Sequence, residues 1–121
     1  MRQIKFKAWD REQKKILHVD SLVFEKGNAI VNGKTDIDLM QWIGSTDRKN
    51  VDIYEGDIVK DGCGDISVVM WCENSASFKF KYPATGLLAY TDSTLDLEDF
   101  GITPEIIGNI YENPDLVEWM K

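Results

Sequence analysis

The chain has 121 residues, a formal net charge of −7, and apolar and charged fractions of 43% and 29%. A chain of this length buries roughly two-thirds of its extended surface, enough for one hydrophobic core, so a single domain over 1–121 is expected. The composition excludes a disordered or fibrous chain, and no apolar run approaches the ~20 residues of a membrane-spanning helix.

The acidity argues against DNA or RNA as a main partner, because affinity for a polyanion comes from Lys and Arg neutralising phosphates. Residues 1–7 alternate charge with bulk and carry no apolar signal stretch, so a cytoplasmic location is expected. Cys63 and Cys72 are the two cysteines and suit a reducing compartment as thiols on neighbouring strands. With a single His, His18, no tetrahedral zinc site assembles from familiar spacings, and no metal or cofactor is expected. The charge is segregated: residues 1–34 carry net +4, 35–81 net −4 and 82–121 net −7. A basic head and an acidic tail can meet within one fold or between copies.

In chain order, Ile4, Phe6 and Ala8 alternate with Lys5, Lys7 and Trp9, which predicts a half-buried strand. Residues 10–14 are a polar turn and 16–19 a returning strand, giving an N-terminal hairpin. The segments 22–24 and 29–31 flank Gly27 and Asn28, residues tolerant of positive φ, which predicts a second hairpin. Residues 39–43 form a short apolar run ended by Gly44, then 45–52 read as a polar loop in which Asn50 can take a left-handed turn position. A Gly56-Asp57 turn precedes Ile58-Val59, and residues 61–65 are a glycine-rich tight turn. Residues 66–71 form a continuous apolar strand, which makes Trp71 a core candidate. Ala76, Phe78, Phe80 and Tyr82 alternate with Ser77, Lys79 and Lys81, and 87–90 suggest a further strand. The acidic stretch 92–101 is either a short helix or an ordered loop. Residues 105–111 read as a last strand with Gly108 at a bulge or close backbone approach. Asn113 then caps a helix with Pro114 at its first position and Leu116, Trp119 and Met120 on its inner face.

Short strands and glycine turns at close intervals predict a mainly β fold. Its expected form is a small, partly open barrel of the Src-homology-3 type over about 39–111. An N-terminal hairpin region over about 1–34 extends it, a short helix over about 113–120 ends it, and an α+β fold is the alternative.

Three segments carry a resemblance: Ile4-Lys5-Phe6-Lys7-Ala8-Trp9-Asp10, then Leu39 to Gly44 with Asp47 and the run Ile53-Tyr54-Glu55-Gly56-Asp57-Ile58-Val59, then Ile107 to Leu116. In this order and spacing they resemble the YopX family of bacteriophage and prophage proteins. Lys7 stands where that family usually has Arg, and Trp42-Ile43-Gly44 where it has Tyr-Thr-Gly. The resemblance implies a phage or prophage accessory protein that is mostly β and self-associating, and it supplies no catalytic residue or cofactor.

Glu55 and Asp57 are spaced as a carboxylate pair could be for acid–base or cation chemistry, but turn-forming roles suit Tyr54, Glu55, Gly56 and Asp57 better, as they do Gly108, Asn109, Asn113 and Pro114. Asp92, Asp96, Glu98 and Asp99 lack the alternation of a calcium loop and read as a solvated acidic face, with a docking surface for a basic partner or a neighbouring subunit as the alternative. His18 lies on a strand away from other ligands and is expected to face outward. Trp9 and Trp119 are candidates for subunit contacts. The expected function is therefore non-enzymatic, a self-associating module that binds itself and a host or phage protein. The alternatives are an acidic decoy for a host nucleic-acid-binding protein and, less favoured, a hydrolase using Glu55 and Asp57.

Overall fold

The computed structural model describes residues 3–62, 64–82, 87–90 and 104–120, with 87–90 and 118–120 as backbone only. Its strands are β1 (Phe6–Asp10), β2 (Lys15–His18), β3 (Leu22–Glu25), β4 (Asn28–Val31), β5 (Ile37–Thr46), β6 (Asp52–Tyr54), β7 (Asp57–Lys60), β8 (Ile66–Cys72), β9 (Ser77–Tyr82), β10 (Leu87–Tyr90) and β11 (Glu105–Asn109). A short 3-10 helix, Pro114–Met120, follows. The strands form a four-stranded sheet in the order β2-β1-β5-β6, a five-stranded sheet in the order β10-β9-β8-β7-β11, and the β3-β4 ribbon.

The five-stranded sheet is antiparallel throughout and curls into the half barrel predicted from the glycine-punctuated strands. Strand alternation sends successive side chains to opposite faces, and both faces of its centre are buried. On the concave side Val59, Val69 and Phe80 pack with Ile53 of β6, supported by Ile43, Tyr82 and Ile106, so the end of the first sheet closes over the second. On the other side Ile58 and Val68 pack against Val117, supported by Leu116 and Ile110, which is how the C-terminal helix docks. A third cluster, Ala8, Val31 and Ile37 with Leu17, Leu22 and Leu39, sits between the ribbon and the first sheet. The N-terminal hairpin is more than an appendage, since β1 pairs along its whole length with β5 from Phe6↔Gln41 to Asp10↔Ile37.

Several local expectations shift. β5 does not end at Gly44 but continues to Thr46, because Gly44 takes φ +95° where the pairing with β6 is irregular. The second hairpin turns on Lys26 and Gly27, with φ of 51° and 81°, and Asn28 already opens β4 opposite Glu25. Ala76 is a turn residue with φ 50°, so the alternation of β9 starts one residue later. Trp71 is not a core residue: it is 43% exposed, because it shares a face with Val69 but lies past the end of the packed centre, against the edge of Phe78. The bulge foreseen at Gly108 is present between Ile106 and Gly108. Asn50 has the left-handed φ of 65°, and His18 is exposed. Cys72 is a free thiol at the end of β8, and the companion expectation for Cys63 lies outside the described residues.

Candidate interaction groove

Four aspartates are buried among the described residues, and each holds a turn. Asp10 accepts the amides of Glu12 and Gln13 at 3.0 Å and the Lys34 ammonium at 2.8 Å, and that ammonium holds its carboxyl below the ordinary range. Asp47 accepts from Lys49 and Val51 within its loop and, through its other oxygen, from Ile106 of β11 at 3.0 Å. Asp61 accepts from Asp65 at 2.9 Å and from the Tyr82 hydroxyl at 3.0 Å. Burial first, then Asp61, pushes that hydroxyl up to about 12.

The fourth, Asp57, belongs to the turn that joins the two sheets. Its Oδ2 accepts the Tyr54 amide at 2.8 Å. Burial pushes its carboxyl up to about 6, with the Tyr54 amide and the Lys7 charge opposing and Asp47 adding. Lys7 itself lies 4.4 Å from the centre of the Tyr54 ring. With 6% exposure, Asp57 is closed to a substrate, which favours the turn-forming role over acid–base work with Glu55. Glu55 remains half-buried at the surface, with its amide on the Gln41 carbonyl at 2.9 Å and its Oε1 accepting the Gln41 amide at 3.3 Å.

Gly56 makes the change of sheet. It takes φ +89°, and a Cβ there would stand 3.1 Å from the Tyr111 ring, so a side chain would be both strained and crowded. Its amide reaches the Val69 carbonyl at 2.8 Å and its carbonyl accepts from Ile110 at 2.9 Å.

Among the described residues, this early turn leaves two strand edges without a neighbouring strand. Along β5 the backbone groups of Leu39 point to the same side as those of Gln41, because hydrogen-bonding direction repeats every second residue. β6 has left by then, its last pairing being Trp42↔Tyr54. Along β8 the groups of Trp71 point to the same side as those of Val69, past the point where Gly56 closes the pairing with β7. Between these edges lies an open groove of about 420 Å³ lined by Leu39, Val69, Met70, Trp71, Ile110 and Tyr111, with Glu55 and Glu73 at its rim.

Tyr111 is placed there by the Asn109–Asn113 turn. Asn109 Oδ1 accepts the amides of Tyr111 and Glu112 at 3.0 and 2.8 Å, and Asn113 Oδ1 accepts the Asn109 amide at 3.2 Å. Gly108 leaves the space this needs, since a Cβ there would sit 2.5 Å from Asn113 Oδ1. Asn113 thus braces the turn, and its carbonyl accepts the Leu116 amide at 3.1 Å to open the helix at Pro114. Trp9 is half-buried and stacks on Tyr111 with ring centres 5.7 Å apart.

The model of the YopX protein family matches residues 5–118. The chain belongs to the YopX family. This family member is also similar to a solved structure of protein EF1440 from Enterococcus faecalis, at 20% identity and a TM-score of 0.69, covering 97% of this chain and 99% of that one. The corresponding values for the solved YopX from Bacillus subtilis are 18% identity, a TM-score of 0.61, and 97% and 99% coverage. No curated relative matches the chain. At these identities the likeness establishes the fold, the mainly β small-barrel architecture.

Of the expected contact residues, Trp9 lies beside the groove, behind Tyr111. The Trp119 side chain and Asp92, Asp96, Glu98 and Asp99 lie outside the described residues. The motif residues Tyr54, Glu55, Gly56 and Asp57 and the set Gly108, Asn109, Asn113 meet through Gly56, Ile110 and Tyr111. Sequence reasoning missed Leu39, Trp71, Glu73 and Tyr111 as groove residues. The one available signal was an aromatic at the very end of an apolar strand, followed directly by a turn.

Proposed function

We propose that this YopX-family protein is a phage or prophage accessory protein of the bacterial cytoplasm, working without catalysis as a self-associating protein-binding module. The observation that carries this reading is the β3-β4 ribbon, whose Phe24 and Val23 are 65% and 52% exposed. They lie on opposite faces of a strand paired on one side alone among the described residues, and an exposed apolar strand edge is a ready site for pairing with another chain. The charge segregation of the chain supports contacts between copies, with the basic first 34 residues set against the acidic end. No helix among the described residues is long and apolar enough to cross a membrane.

Light scattering on the purified chain across a wide concentration range tests the reading. Assembly is expected, weakened by salt if head meets tail and weakened by Phe24→Ser if the ribbon mediates it. A monomer at every concentration overturns it. Co-purification from host lysate of basic nucleic-acid-binding proteins by the monomer would instead favour the acidic decoy.

A further inference from the structure

We infer that the groove between Leu39 and Trp71 receives a short extended peptide bearing a Lys or Arg, laid along the free edge of β8 where a longer β7 would have run. This rests on the protein-binding reading above, though not on self-association.

The vacancy is one of backbone. β7 begins at Asp57, and the chain before it departs at Gly56 toward Gln41, while β8 runs on through Met70, Trp71 and Cys72, paired among the described residues with β9 alone. Trp71 therefore offers an amide and a carbonyl toward the groove, and an added strand satisfies both, the means by which sheet edges recognise extended chains. The walls choose the side chains. Among the described residues lining the groove the charged ones are Glu55 and Glu73, both acidic. Trp71 is 43% exposed and lines the same groove as Tyr111, so a cation drawn in by the carboxylates also meets aromatic rings. Leu39, Val69, Met70 and Ile110 suit the aliphatic stem of Lys or Arg and apolar neighbours along the strand. The same lining disfavours an acidic peptide, which would bring like charges together.

The test is calorimetric titration of the full chain with capped peptides of alternating Val and Thr carrying one central Lys, Arg, norleucine or Glu. The Lys and Arg peptides are expected to bind at least ~10-fold more tightly than the norleucine peptide and the Glu peptide more weakly still, a preference lost at high salt. Glu73→Lys, a change at an exposed turn, should remove the preference, and Trp71→Ala should weaken all the peptides together by roughly 10-fold. Near-ultraviolet circular dichroism confirms that each variant is folded. Equal binding of all four peptides, no binding of any, or an unchanged preference in Glu73→Lys overturns the inference. Light scattering on the same samples reads self-association separately. Assembly abolished by Glu73→Lys would make the groove a contact between copies and overturn the peptide assignment, whereas a monomer that still selects the Lys peptide overturns self-association alone.

Discussion

The two sheets are held together by different physics. In the five-stranded sheet, Val59, Val69 and Phe80 are sealed on one face and Ile58 and Val68 on the other. Between the four-stranded sheet and the β3-β4 ribbon the buried cluster is smaller, Ala8, Val31 and Ile37, and charge surrounds it. Lys34 meets Asp10, Arg11 meets Asp36 and Asp38, and Lys5 meets Asp52 while lying 4.4 Å from the Trp42 ring. Burial is nearly indifferent to salt and exposed pairs are not, so the first sheet should respond to salt more than the packed centre of the second, whose ion pairs, Arg48 and Lys49 on Glu105, lie at its β11 edge. The groove sits where the two meet, framed by a strand edge from each.

The largest effect separates the sheets by core volume. Phe80→Ala should destabilise by ~3–5 kcal/mol, and Ile37→Ala, at the edge of the smaller cluster, by nearer ~2 kcal/mol. Urea unfolding of the two variants measures both, and a larger loss at Ile37 would reverse the comparison.

Next comes pH, where two aspartates act with opposite sign. Asp57 in the folded chain keeps its proton up to about 6 against an ordinary 3.8, so the folded state holds more proton than the unfolded one between those values. Its contribution is complete below the ordinary value and is lost as pH rises from about 4 to 6, by roughly 2 kcal/mol. Asp57→Asn keeps an oxygen for the Tyr54 amide and should flatten that decline. Asp10 is shifted down by Lys34, so its contribution is present above the ordinary 3.8 and fades only in stronger acid. Asp10→Asn should remove the acid limb and leave the decline between pH 4 and 6 untouched. Stability curves of the two variants that shared one shape would refute the distinction.

The smallest effect is electrostatic. Lys5→Met removes the pair with Asp52 and should cost below ~1 kcal/mol at low salt, shrinking at high salt. A salt-independent loss would show that the stem of Lys5, and not its charge, matters against Trp42.

Legibility differed with the kind of interaction. The turn at Gly56 and the bulge at Gly108 were readable because a glycine beside a polar residue has few other uses in a strand-rich chain. The turn-forming role of Asp57 followed from the same local logic, but its burial did not, and Asp10, Asp47 and Asp61 read simply as turn and loop residues. Each begins a polar turn, which is the signature of a carboxylate capping the amides after it, yet burial comes from what packs above the turn. Trp71 was misplaced for the same reason: a continuous apolar run could not tell where along β8 the packed centre ends.

The amino-acid sequence by itself determined the strands, the main turns and the family, because strand periodicity, turn chemistry and motif order are local properties that survive without coordinates. Only the tertiary structure decided which strand edges stay open, since that depends on how far β6 and β7 run beside β5 and β8 before Gly56 carries the chain from one sheet to the other. The groove is a difference in strand lengths across two sheets, a quantity that no single segment encodes.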